Sequence, residues 1–273
     1  MSYSTLLVTK SGGVATVAFN RPDKLNTLST QLFLDLKQLI SELRYDLDSH
    51  VVIFTGAGCA FSAGFDLRLE ELSQHFSRPE LPNERIWQLF CQDLMTALEN
   101  LEQVTIAAIN GPCVGGGMCI AANCDFRIAA EDARLGVPET NLGVFLSWGA
   151  TPRLAALLGP ARAKELVMSC DIISAHEAHR IGLVNRVVAS NRLIEASHEL
   201  AAKILSRGPL AIRTCKKQVN AASFARLSNL FLLESELWER NQLSPDLQEG
   251  ILASLEKRPP RFSAQDAQPL KIY

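Results

Sequence analysis

Two short runs near the start of the chain, Leu6 to Thr9 and Val14 to Phe19, are rich in β-branched and aromatic residues. Ser11-Gly12-Gly13 separates them, and small residues at so tight a connection predict a turn between two strands. The period then changes. Leu28, Leu32, Leu36, Leu39 and Leu43 recur at helical spacing, with Ser29 or Thr30 available to cap the helix start. Val51 to Thr55 is a compact apolar strand ended by Gly56, and Ala107 to Ile109 and Phe126 to Ala129 belong to similar strands. This ββα rhythm, repeated with variations, predicts an α/β core, layered or spiral, without a sequence repeat of fixed period.

From Gln103 to Cys124 there is no charged residue, nearly enough to span a bilayer. Asn110, Gly111, Pro112 and the Gly115-Gly116-Gly117 run interrupt it, and lipid would leave the freed backbone groups unsatisfied. The segment is therefore expected to be strand, turn and helix in a soluble core, with no membrane contact. Arg68 to Arg85 lacks periodicity and is expected to be a variable surface segment, where specificity elements tend to lie. After about residue 190 the strand signals end. Helical patterns follow at Arg192 to Leu205, Leu210 to Ala221, Phe224 to Leu243 and Asp246 to Leu255. The expected division is residues 1–190 as the core and 191–273 as a helical region packing on a neighbour.

The 273 residues are 47% hydrophobic and 21% charged, enough to build a core without a metal or disulfide staple. Lys plus Arg number 27 against 29 Asp plus Glu, a net charge of −2 that offers no broad footprint for nucleic acid. Seven cysteines, with no CxxC pair, point to reduced thiols in a cytosol-like compartment. The first residues lack the basic and apolar stretches of a signal peptide. A cytoplasmic location is expected.

Candidate chemistry sits in three segments. Phe61-Ser62-Ala63-Gly64-Phe65-Asp66 and Asn110-Gly111-Pro112-Cys113-Val114-Gly115-Gly116-Gly117 each follow an apolar strand and precede a helical pattern. Small residues there let a ligand approach the backbone, and two converging N–H groups favour a developing negative charge. Taken alone, a glycine-rich turn is more often packing geometry than a binding site. Neither matches GxGxxG or a P-loop, so nucleotide readings fall away. In Gly136-Val137-Pro138-Glu139-Thr140-Asn141-Leu142-Gly143, one carboxylate lies in an apolar loop. Buried, Glu139 would have a raised pKa and exchange protons with carbon acids; exposed, it would be an ordinary turn residue. Ser147-Trp148-Gly149 lacks the first glycine of a nucleophile elbow. His176 and His179 share a helix face without metal-ligand partners at zinc spacing.

Taken together, AFSAGFDL, INGPCVGGGMCIAANCDFRIAA and LGVPETNLGV, in that order, resemble the enoyl-CoA hydratase/isomerase (crotonase) superfamily. RPDKLNTLS, ISAHEAHRIGLVNRVV and SPDLQEGILASLEKRPPRF extend the resemblance over almost the whole chain. It implies a crotonase-like ββα spiral with a C-terminal helical trimerisation region, as a homotrimer or a dimer of trimers. It implies Ala63 and Gly116 as backbone oxyanion donors to the thioester of an acyl-CoA, and Glu139 as the base. The Lys24-Leu25-Asn26 turn and Gly64, Phe65 and Asp66 would line the CoA site, and Lys257 or Arg258 would approach its phosphates. Coenzyme A enters as part of the substrate, and no separate cofactor or metal is expected.

One position departs from the hydratase pattern. Hydratases of the family commonly use two glutamates to hold water; Glu139 matches the second, but Cys119 stands at the first. The Δ3,Δ2-enoyl-CoA isomerases resemble the chain in this respect, since one carboxylate suffices for a 1,3-proton shift. Dienoyl-CoA isomerases and some dehalogenases place an Asp where Ser147 stands. The expected activity is thus Δ3,Δ2-isomerisation. Hydration, or a non-catalytic acyl-CoA-binding role, are the alternatives.

Overall fold

The computed structural model describes residues 3–67, 81–224, 238 and 244–262. The two opening strands, β1 (Leu6–Ser11) and β2 (Val14–Phe19), form an antiparallel hairpin whose turn residues Gly12 and Gly13 both have positive φ, 56° and 80°. The predicted leucine repeat is α1 (Thr30–Leu43), and Leu32, Leu36, Leu39 and Leu43 are all buried. Ser29 is its N-cap, the hydroxyl accepting from Leu32 N at 3.3 Å.

β3 (Val51–Gly56) and β4 (Val104–Ile109) are apolar on both faces and occupy the centre of a six-stranded sheet. Continuous apolar strands of this kind suit parallel pairing with both faces covered. β6 (Phe126–Ala130) and β9 (Arg186–Val188) extend the sheet in parallel to the order β1-β2-β3-β4-β6-β9. A second, three-stranded sheet joins β5 (Cys113–Val114), β7 (Arg134–Gly136) and β8 (Ile173–Ser174). The charge-free run therefore forms β4, β5 and α3 (Gly116–Ala122). No helix among the described residues is long and apolar enough to cross a membrane.

α2 (Leu81–Glu99) packs beside α1; α4 (Ala150–Leu158) and α5 (Pro160–Ser169) lie between β7 and β8, and α6 (Ala175–Arg180) follows β8. α7 (Leu193–Leu205) returns onto β3, β4 and β6 and buries Ser197, Leu200 and Ala201. The expected boundary at residue 190 thus cuts through the core rather than beside it. α8 (Pro209–Phe224) is pinned by Lys216, whose ammonium donates to Asp125 and to Gln103 O, both at 2.8 Å. The last described helix is α9 (Pro245–Glu256). Most of the predicted helix from Phe224 to Leu243 lies outside the described residues.

Candidate active site

A cavity of about 650 Å³ opens where the loops leave the C-terminal ends of β3, β4 and β7. Open parallel sheets bind ligands at this edge. The two glycine-rich turns are stitched together there: Ser62 N donates to Pro112 O, and Val114 N to Ser62 O, each at 3.1 Å. Asn110 locks the base of the pair, accepting from Gly56 N and donating to Gly56 O and Gly58 O. Gly64 has φ 91°, and a Cβ there would sit 3.2 Å from Val114 O and 3.7 Å from Gly116 N. Only glycine lets the turns come this close.

Each amide on the first turn has an assigned direction. Ala63 N donates to Leu25 O at 3.0 Å, so the expected oxyanion donor is already engaged. Leu28 receives Asp66 N at its carbonyl and gives its own N–H to Gly64 O. Backbone groups alternate along such a bridge, so Phe65, between those two contacts, turns its N–H away from Leu28. The Phe65 amide has no acceptor among the described residues, and neither has Gly116. The free pair is Phe65 and Gly116, a correction of Ala63 by two residues.

Glu139 enters on a 3-10 turn, Glu139–Leu142, closed by Gly143 at φ 71°. A Cβ on Gly115 would lie 2.6 Å from Glu139 Oε1, so the glycine run also makes room for the carboxylate. Glu139 Oε2 is buried without a hydrogen-bond partner. Burial pushes the acid up to about 7, against an ordinary 4.5. α9 braces this turn from outside: a Cβ at Gly250 would sit 2.4 Å from the Leu142 carbonyl carbon, and one at Gly143 2.6 Å from Asp246.

Cys119 also lines the cavity, its thiol 3.8 Å from Ser147 O. Among the described lining residues Glu139 is the single carboxylate. Around it the wall is aromatic, with Phe65 5.8 Å from Trp148, and Phe33 behind it stands edge-on to Trp87 and Trp148 at 5.3 and 5.1 Å. No cluster of metal-ligating side chains occurs among the described residues.

The structure brings Ala63, Gly64, Phe65, Gly116 and Glu139 to one cavity. It keeps Lys24, Leu25, Asn26 and Asp66 out of that wall. Asn26 is fully buried, with φ 54°, and its side chain accepts from Arg21 N and donates to Ala57 O and Ala60 O. Asp66 is 7% exposed and bonded to Arg21 and Thr27, which makes it part of the scaffold beneath the turn. Arg258 does reach the cavity rim, where its guanidinium meets Glu249 at 2.6 and 2.9 Å. Gln88 and Trp238, also in the wall, belong to no motif and carry no signal in the sequence.

Residues 9–265 match the family described as enoyl-CoA hydratase/isomerase. The crotonyl-CoA hydratase of Syntrophomonas wolfei is 35% identical over 263 residues, covering 96% of this chain and 99% of its own. Among solved structures, an enoyl-CoA hydratase from Mycobacterium avium subsp. paratuberculosis superimposes with a TM-score of 0.84 at 29% identity, over 96% of this chain and all of its own. A monofunctional enoyl-CoA isomerase from M. smegmatis has a TM-score of 0.68 at 30% identity, over 84% of this chain and 98% of its own.

Proposed function

The chain belongs to the enoyl-CoA hydratase/isomerase family, and from that premise we propose that it is a Δ3,Δ2-enoyl-CoA isomerase with Glu139 as its lone proton carrier. The observation that carries this reading is that Glu139 is the single carboxylate among the described residues of the wall, with a cysteine where a second would hold water. The carboxylate of Glu139 takes the C2 proton of a 3-enoyl thioester. The electron pair moves onto the thioester oxygen as a dienolate, held by the N–H groups of Phe65 and Gly116. The same carboxylic acid returns the proton at C4, and the double bond lies between C2 and C3. A carboxyl group near 7 is matched to this task, since it gives and takes a proton with similar ease at neutral pH.

Hydration is the second reading, favoured by the hydratase names of the relatives. It requires Glu139 alone to orient and deprotonate a water beside the Cys119 thiol. Incubation with 3-hexenoyl-CoA and, separately, crotonyl-CoA, followed by chromatography of the thioesters, separates the two. Conversion of the 3-enoyl ester to the 2-enoyl ester without 3-hydroxy product supports isomerisation. Rapid 3-hydroxyacyl-CoA formation refutes it, and no reaction with either leaves the acyl-CoA-binding role. Assembly as a homotrimer or dimer of trimers belongs to the same reading, in keeping with Leu210 and Val219, 77% and 63% exposed on α8.

A further inference from the structure

We propose that the buried ion pair of Arg153 and Glu99 positions the Gly116 oxyanion donor, acting through Trp148. The inference rests on the acyl-CoA reading above but not on the choice between isomerisation and hydration.

Arg153 is 1% exposed and Glu99, the last residue of α2, 9%. The guanidinium grips the carboxylate with two nitrogens, Nε at 2.9 Å and Nη2 at 2.7 Å. Its third nitrogen, Nη1, donates to the Gly149 carbonyl at 2.8 Å. A buried ion pair adds little net stability, because an apolar pair of similar volume packs as well without desolvating two charges. What an apolar pair cannot do is fix a direction. A guanidinium is a planar fork, so two bonds to Glu99 dictate where the third nitrogen points. Here it points at the turn that carries Trp148.

That turn needs a hold. Trp148 and Gly149 are consecutive left-handed residues, φ 59° and 71°, at the start of α4. The conformation suits glycine and is uncommon for a bulky residue, so Trp148 keeps it only where its surroundings impose it. Thr151 ties the same turn further back, its hydroxyl donating to Leu146 O at 2.6 Å. The result is an indole laid on Gly116: a Cβ there would lie 2.8 Å from Trp148 Cζ3 and 2.7 Å from Leu28 Cδ1. Leu28 belongs to the bridge that sets Phe65, whereas Trp148 belongs to the turn that Arg153 holds. Gly116 is thus packed against both, and its place relative to Phe65 depends on each. An oxyanion donor works through its geometry, and a misplacement of about 1 Å is enough to cost much of the rate.

The test compares wild type with Arg153→Lys, Trp148→Ala, the two combined, and the apolar pair Glu99→Leu with Arg153→Met. Each is assayed on whichever of 3-hexenoyl-CoA and crotonyl-CoA wild type turns over, melted, and titrated by calorimetry with saturated hexanoyl-CoA, which reads binding without turnover. Arg153→Lys keeps the charge and loses the fork, so kcat is expected to fall about thirtyfold, with hexanoyl-CoA affinity changed by less than about threefold. The apolar pair is expected to melt within about 5 °C of wild type and still show the loss in kcat. Trp148→Ala lowers kcat by itself, and adding Arg153→Lys is expected to cost no more than about twofold further, because both act at one contact. Full kcat in the apolar pair overturns the proposal, as do losses from Arg153→Lys and Trp148→Ala that multiply. Loss of kcat only in proportion to unfolded protein assigns the pair to structure and also overturns it. A wild type that binds hexanoyl-CoA but turns over neither thioester has no oxyanion to position, which overturns the proposal and leaves the acyl-CoA reading intact. Absence of hexanoyl-CoA binding by wild type overturns both.

Discussion

Two regions that adjoin in the fold treat their buried polar groups in opposite ways. Under the first glycine-rich turn, Asn26 and Asp66 have their bonds made by Arg21, Thr27 and backbone groups of residues 57 and 60. In the cavity beside it, Gln88, Glu139 and Trp148 each carry a buried atom with no partner among the described residues. The partnered network fixes the shape of the turn; the cavity wall instead packs polar atoms away from water without a bond, and Glu139 is the one among them that can exchange a proton. Motifs do not separate the two, since KLN and FDL look as chemical on paper as PET does. Partner accounting does.

The sharpest way to break this comparison is Glu139→Gln. Loss of turnover by at least about a thousandfold, with acyl-CoA binding nearly intact by calorimetry, is expected of a lone proton carrier. Retained turnover would remove Glu139 from the mechanism. Gly64→Ala comes next. It forces a side chain against Val114 O at a left-handed position and spreads the two turns, so kcat is expected to fall about a hundredfold. Steady-state kinetics on 3-hexenoyl-CoA would show it.

On the saturated side, Asn26→Ala is expected to cost about 2–4 kcal/mol in denaturant unfolding, because it strands two backbone carbonyls and an N–H in the interior. A loss below about 1 kcal/mol would mean the network is less essential than its geometry. A titration adds a finer test. Glu139 has a folded pKa near 7, above its ordinary 4.5, so the stability linked to its proton is complete below about 4.5 and lost as pH rises through 7. Glu139→Gln should therefore melt above wild type at pH 8, with the gain vanishing near pH 4, as thermal scans across pH would reveal. Over the same range wild-type kcat/KM should climb through pH 7. The smallest effect is expected of Cys119→Ala, less than about twofold in kcat/KM; a large loss would give the thiol a role in proton or water handling.

Much of the fold was legible because it follows from periodicity. Leu32 to Leu43 could only face inward as a helix, and Val51 to Thr55 only as a strand covered on both sides. The short strands β5, β7 and β8 leave no period to read in two or three residues, and α4 and α5 are not among the predicted helices. The three chemical segments were found and do meet. Which amide points into the cavity was not readable, because it depends on the bridge from Leu28, a residue in another motif. That Asn26 and Asp66 serve the scaffold depends likewise on contacts with Ala60 and Arg21. Gln88 left no trace, as a glutamine on a helix is ordinary until its neighbours are known.

The interlock of Gly250 with Leu142, and of Gly143 with Asp246, gives the protein a timetable as well as a shape. During synthesis the sheet, the paired glycine turns and Glu139 itself emerge from the ribosome long before α9 does. Until that helix arrives, the turn carrying the carboxylate lacks its outer brace and the cavity lacks one wall. The chain is thus translated through its core, α7 included, before the helix that braces the active-site turn exists, and the site is finished only once α9 has been made.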